Sequence, residues 1–235
     1  MKNSYALITG ASSGIGEEIA KNLAKKGYNL ILTARREDLL DKLAQDLRKK
    51  YNIDVSVIAK DLSKYETPKE ILSFCEKNNY RVDLLVNNAG YGIKTSFHET
   101  SLEDEEDFIR VLGTSVIMLT KLFLPKMISN GEGKIMIVSS TAAFAPPSAI
   151  QPLYGPIKTF VNRFSDSINI NYKNKGITST AVCPGFTVTG FHTASGVQEQ
   201  MDRVPDFLVF SAKRIADEAV QATLAGKSLC VPTKT

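Results

Sequence analysis

Cysteine and histidine are scarce in this sequence, and neither sign of charge is in excess. Among 235 residues there are three cysteines, Cys75, Cys183 and Cys230, far apart and without a CxxC spacing. That excludes a disulfide framework or a zinc site of ordinary spacing and fits a reducing, intracellular setting. The two histidines, His98 and His192, stand alone, so no metal is expected. Lysine and arginine number 29 against 25 acidic residues, a net +4 spread along the chain. No basic patch marks a nucleic-acid partner. The start, Met1-Lys2-Asn3-Ser4-Tyr5, turns apolar for only a few residues before Thr9-Gly10. Neither a signal peptide nor a membrane span is expected there, and the expected location is cytoplasmic with no membrane partner. Repeats, linkers and low-complexity stretches are also missing, so one domain over 1–235 is the economical count. The 43% hydrophobic content supports a sizeable core.

What is present is an alternation. Short β-branched or leucine-rich runs lie at Tyr5 to Thr9, Asn29 to Thr33, Asp54 to Ile58, Asp83 to Asn87, Lys134 to Ser139, Ile177 to Val182 and Leu229 to Val231. Helical periodicity falls between them, at 14–26, 37–50, 68–78, 102–130, 152–174 and 212–225. Strict βαβα order predicts an α/β fold, a parallel sheet of seven strands covered by helices on both faces. Gly27 ends the first helix, Thr67-Pro68 supplies a cap and a first-turn proline, and Ser101-Leu102-Glu103-Asp104 reads as a capping box. The acidic run Glu103 to Asp107 then complements a helix dipole. The region from Pro184 to Phe210 has no clear period, and a loop of that length after a strand's carboxyl end is a candidate cover for a ligand site near 186–210.

Directly after the first strand stands Thr9-Gly10-Ala11-Ser12-Ser13-Gly14-Ile15-Gly16, followed by a helix. Glycines there allow a tight turn and close approach of a pyrophosphate to a helix N-terminus. The spacing is GxxxGxG, and with it come Asn87-Asn88-Ala89-Gly90, Ser139-Ser140, Tyr154-Gly155-Pro156-Ile157-Lys158 and Pro184-Gly185, each closing or following the expected element. In motif, order and context the whole chain resembles the short-chain dehydrogenases/reductases. The resemblance implies a doubly wound, Rossmann-type domain binding a nicotinamide dinucleotide. Its cofactor contacts would come from Gly10, Ser12, Ser13, Gly14, Ile15 and Gly16. Asp61 and Leu62 would border the adenine, with Asn88, Ala89 and Gly90 along the adenosine and ribose side. Pro184, Gly185, Thr187 and Thr189 would lie by the nicotinamide. Asp61 also suits a turn cap before Ser63. At the second strand's end stand Ala34-Arg35-Arg36 with no carboxylate. Guanidinium forks match a 2′-phosphate, so NADP is expected, with Arg35 the better ligand of the two arginines.

Tyr154 and Lys158 are one helical turn apart. A tyrosine titrates near ~10, and a neighbouring ammonium favours its phenolate, which suits acid–base work. Ser140, fourteen residues before Tyr154, is placed to hold a substrate oxygen, with Ser139 and Thr141 as competing neighbours. By resemblance, Ser140, Tyr154 and Lys158 form a catalytic set in which Tyr154 protonates a carbonyl during hydride transfer, and Lys158 also holds the ribose. Pro156 is compatible with a helix only if that helix begins near Leu153. The family's usual asparagine of the relay aligns with Leu112, which shares an apolar helical face with Phe108, Val116, Leu119 and Phe123. The covering segment carries Phe191, His192, Val197, Val204, Pro205, Phe207 and Leu208, an apolar lining for a lipophilic carbonyl or alcohol substrate. The expectation is an NADP-dependent carbonyl reductase or alcohol dehydrogenase, acting as a homodimer or homotetramer. The alternative, suggested by Leu112, is an NADP-binding sensor or scaffold with little turnover.

Overall fold

The computed structural model describes residues 4–93, 95–146, 151–185, 187–188 and 210–232. Its centre is a seven-stranded parallel sheet ordered β3-β2-β1-β4-β5-β6-β9. The strands are β1 (Ser4–Thr9), β2 (Asn29–Ala34), β3 (Val55–Ala59), β4 (Arg81–Asn87), β5 (Gly133–Val138), β6 (Ile177–Val182) and β9 (Leu229–Cys230). Connecting them are α1 (Gly14–Lys25), α2 (Glu37–Tyr51), α3 (Thr67–Lys77), α4 (Leu102–Ile109), α5 (Ser115–Asn130), α6 (Tyr154–Tyr172) and α7 (Ala212–Leu224).

Strand alternation sorts the core into two layers. Leu7 pairs across the sheet with Ile31 and Leu85, and Leu85 with Ile135, so these four form one row on one face. Against that face pack Ile71 and Cys75 of α3, Phe108, Leu119 and Phe123 of α4 and α5, and Val161 of α6. The next row, Leu32-Ile8-Val86-Met136, points the other way, toward Ile19 and Leu23 of α1, Leu40 and Leu43 of α2, and Ala216 and Ala219 of α7. Each leucine or isoleucine so buried contributes about 1.5–3 kcal/mol. Because the order reverses direction between β1 and β4, a crevice opens at the carboxyl ends of these two strands.

Several element ends differ from the sequence reading. Asp54 precedes β3, because its carboxylate accepts the Tyr5 hydroxyl and its N–H donates to Asn29 Oδ1 at 3.0 Å. Thr67 is the first helical residue of α3 and Glu66 the cap. The Thr67 hydroxyl donates instead to the Asp61 carbonyl at 2.6 Å. The capping box at Ser101 is present, with its Oγ accepting the Asp104 N–H at 3.1 Å. The continuous helix expected over 102–130 is broken by a π turn at Arg110–Thr114, in which Ser115 N–H donates to the Arg110 carbonyl. The Ser115 hydroxyl donates to the Val111 carbonyl at 2.8 Å and so serves a backbone acceptor within the irregular turn. Leu102–Asn130 is long and apolar enough by composition to cross a membrane. Half of its most apolar window is buried in the protein, where Leu119, Phe123 and Met127 pack in the core.

Two strands that the sequence reading passes over, β7 (Thr187–Val188) and β8 (Phe210–Ser211), pair in parallel as Thr187 with Phe210 and Val188 with Ser211. They bring together the two ends of the segment 189–209, which lies outside the described residues.

Candidate active site

One wall of the crevice grows from Thr9. Its hydroxyl donates to the Val86 carbonyl at 3.2 Å and accepts the N–H groups of Asn88 at 2.9 Å and Ala89 at 3.0 Å. The Asn88 amide returns to β1, donating to the carbonyls of Thr9 at 2.9 Å and Gly10 at 3.2 Å. The Asn88-Ala89-Gly90 loop is thereby stitched onto the glycine loop. The close approach explains two glycines. Gly10 has φ +66°, and a β-carbon there would lie 2.8 Å from Ala89 Cα. At Gly16 it would lie 2.3 Å from the Gly10 carbonyl oxygen. Sequence reasoning missed Thr9 as the hub of this wall, although a hydroxyl ending an otherwise apolar strand just before the glycines is its signal.

Gly14, Ile15 and Gly16 open α1, whose first-turn N–H groups and positive dipole end suit an anion. Beside them Arg36 Nη2 donates to Ser13 Oγ at 2.7 Å and Ser12 Oγ at 2.9 Å. Thus Arg36, the residue ranked second from sequence, is the arginine brought to the glycine loop. Arg35 is exposed and acts electrostatically on Tyr91, partly offsetting the burial that pushes that phenol up to about 12. Asp61 Oδ1 accepts the Ser63 N–H at 2.9 Å, the turn cap considered from sequence, and Leu62 is buried beside it.

The opposite wall is built from β5, β6 and α6. Ser139 Oγ donates to the Lys158 carbonyl at 3.0 Å, which ties the helix to the strand end. Ser140 Oγ accepts the Ala142 N–H at 3.1 Å and is hydrogen-bonded to the Tyr154 side chain. The Lys158 ammonium donates to the Val138 carbonyl at 2.9 Å and lies 5.5 Å from the centre of the Tyr154 ring. Burial lowers Lys158 to about 8. It raises Tyr154 above its ordinary value, with the Ser140 hydrogen bond pulling partly the other way. That direction is opposite to the one expected from the lysine alone, because loss of water around the phenolate is the largest effect on it. Pro156 is the third residue of α6, within the first turn, and removes no helical hydrogen bond. Beneath Lys158 lies another feature that sequence reasoning missed: the buried Asn162 amide and Cys183 thiol lie 3.5–3.6 Å apart.

Pro184 is held over this wall by its carbonyl, which accepts the Thr141 N–H at 2.9 Å, and the Thr187 hydroxyl donates to the Gly185 carbonyl at 3.0 Å. Thr189 and the apolar candidates Phe191, His192, Val197, Val204, Pro205, Phe207 and Leu208 lie outside the described residues.

Leu112 sits in the π turn, 2% exposed, with Cγ 3.8 Å from where a β-carbon on Gly90 would stand. It is a core leucine facing the loop that closes β4. Leu112→Asn is expected to lower unfolding stability by about 1–3 kcal/mol, since it buries an amide in an apolar niche. Urea unfolding measures this. An unchanged midpoint and slope would remove Leu112 from the core.

The short chain dehydrogenase family model matches residues 4–200. The very-long-chain 3-oxoacyl-CoA reductases of Danio rerio (form A) and Anas platyrhynchos are both 32% identical, over 191 and 189 residues. Those alignments take in 79% of this chain and 58% and 60% of the relatives. The chain therefore spans about 60% of the length of these curated relatives. Among solved structures, a short-chain dehydrogenase from Sphingobium yanoikuyae in complex with NADPH superposes with TM-score 0.90 at 29% identity, covering 97% of this chain and 87% of the other. A bulky-bulky ketone specific alcohol dehydrogenase from Comamonas testosteroni gives 0.84 at 28% identity, covering 97% and 85%. With the glycine loop, the stitched β4 exit and the tyrosine–lysine helix turn meeting at one crevice of a sheet matched along nearly its whole length, the chain belongs to the short-chain dehydrogenase family.

Proposed function

We propose that this protein is an NADP-dependent reductase of lipophilic ketones or aldehydes, and that Ser140, Tyr154 and Lys158 carry the chemistry. The observation that carries this reading is the convergence of the Ser140–Tyr154 hydrogen bond and the buried Lys158 ammonium on the crevice bounded by the glycine loop. The dinucleotide fits the chain's own residues. The crowding at Gly10 and Gly16 admits no β-carbon where the glycine loop packs on the β4 exit, and the loop leads into the α1 N-terminus, whose free N–H groups suit a pyrophosphate. Arg36, Ser12 and Ser13 form a cationic, hydroxyl-rich cradle suited to a 2′-phosphate, with Arg35 alongside. Gly14, Ile15, Asp61, Leu62, Asn88, Ala89, Gly90, Pro184, Gly185, Thr187 and Thr189 complete the proposed contacts. When bound, NADPH supplies the hydride.

The chain's residues supply the rest. Burial keeps Tyr154 a neutral phenol at neutral pH, so it has a proton to give to a carbonyl oxygen. Ser140 donates to the same oxygen and stabilises its developing charge. Lys158, an ammonium below about pH 8, adds positive charge near that phenol and holds ribose hydroxyls. The names of the relatives support a carbonyl on a largely apolar body, 3-oxoacyl-CoA in one group and a bulky ketone in the other. A homodimer or homotetramer in the cytoplasm is part of the proposal. The sensor reading rests on Leu112 alone, and that leucine has a sufficient role in the core. A panel of ketones and aldehydes incubated with NADPH, read by cofactor absorbance, separates the two. Turnover of lipophilic members supports the reductase, and NADPH binding without turnover on any of them supports the sensor.

Arg36→Ala is expected to weaken NADPH binding by one to two decades while leaving NADH nearly unchanged, because a charged hydrogen bond contributes about 1.5–3 kcal/mol. Fluorescence titration of both cofactors checks it. An equal loss for both would mean that Arg36 serves the loop and not a phosphate.

A further inference from the structure

Among the described residues, hydrogen bonds tie the β5–α6 segment to its neighbours on both sides of the crevice, and one of them, from Gln151, reaches the loop after β4. Thr141 N–H donates to the Pro184 carbonyl, and Thr159 Oγ1 donates to the Ala143 carbonyl at 3.0 Å, both on the β5–β6 side. Gln151 does something different. Its side-chain amide donates to the Ile93 carbonyl, three residues beyond Gly90, while its own carbonyl accepts the Tyr154 N–H at 3.2 Å. Gln151 therefore couples the first residue of α6 to the far lip of the crevice. Between the two lips lies a cleft lined by Ile93, Phe97, Phe108, Gln151 and Leu153 with the Glu105 side chain on one side, and it has about 10 Å³ of space. That is room for about one water molecule.

We propose that Gln151 is a positioning and specificity-determining residue, a strut that sets the width of the substrate entrance between the Ile93 and Leu153 lips and so selects carbonyl compounds by bulk. The proposal rests on the carbonyl-reductase reading of the same site. An isosteric side chain without the donor releases the lip, and the cleft then widens toward the apolar walls of Phe97 and Phe108. A bulky substrate gains contacts that a small one cannot use.

The test compares the parent with Gln151→Met, which keeps the volume and removes the donor, and with Gln151→Ala. The probes are cyclohexanone and benzophenone. Calorimetry gives the affinity of each ketone for the protein with NADP+ bound, which has no hydride to transfer, and steady-state kinetics with NADPH gives kcat and KM. The ratio of benzophenone to cyclohexanone, in affinity and in kcat/KM, is expected to rise about tenfold in both variants, mainly through KM, with NADPH affinity unchanged. An unchanged ratio, or an equal loss for both ketones, overturns the strut. A parent that binds ketones without reducing them overturns the reductase reading, and Gln151 is then judged on the binding ratio. A parent that binds neither overturns both.

Discussion

Tyr154→Phe is expected to remove nearly all turnover while leaving NADPH affinity within a small factor of the parent. Burial raises the hydroxyl above its ordinary value, so it is a neutral proton donor, and Ser140 is hydrogen-bonded to it. General acid catalysis by a positioned group is worth roughly 10²–10⁴-fold. The proposed ribose contacts belong to Lys158, whose ammonium is anchored on the Val138 carbonyl independently of the phenol. Lys158→Ala should lose both properties. Steady-state kinetics with NADPH and a ketone that the parent reduces, and a parallel NADPH titration, read the two effects apart. Substantial activity in Tyr154→Phe would take Tyr154 out of its role, and parallel loss of binding would make it a structural residue.

Gly16→Ala is expected to damage folding and cofactor binding together. A β-carbon at this position would lie 2.3 Å from the Gly10 carbonyl oxygen and 2.4 Å from Asn88 Nδ2, so the stitched loops would have to separate. Overpacking of that kind costs about 1–3 kcal/mol, and here it falls on the backbone that would face the pyrophosphate. The unfolding midpoint should drop and NADPH binding should fall by at least about a decade. Gly113 provides the contrast, since its added β-carbon would meet only Ile157 Cγ2 at 3.7 Å and alanine should be tolerated there. Equal behaviour of the two variants would contradict the close approach of the β1 and β4 loops.

What could be read in the sequence and what could not divide along a physical line. The sheet was legible because continuous apolar runs such as Ala6-Leu7-Ile8, Leu30-Ile31-Leu32 and Leu84-Leu85-Val86, buried on both faces, recur between helical stretches, and glycines punctuate the turns. The cofactor loop was legible because GxxxGxG follows a strand and opens a helix. The π turn at Arg110–Thr114 was not, since Phe108, Leu112 and Val116 keep a helical period through it, and the Ser115 hydroxyl that serves the Val111 carbonyl leaves no periodic mark. The β7–β8 pair is too short, at two residues each, to show any alternation. Which of Arg35 and Arg36 reaches Ser12 and Ser13 depends on the direction of the backbone as it leaves β2, and adjacent identical residues cannot reveal it. Thr9, Gln151, Asn162 and Cys183 act through partners 21 to 80 positions away in the chain, so only the fold brings their roles into view.

The most direct measurement follows the hydride itself. NADPH carrying deuterium at the transferable position is incubated with the parent protein and a lipophilic ketone, and the alcohol is analysed by mass spectrometry. The account predicts one deuterium on the carbinol carbon for each NADPH consumed, with none appearing in Tyr154→Phe over the same interval. NADPH that binds but yields no labelled alcohol across a broad range of ketones and aldehydes would contradict it.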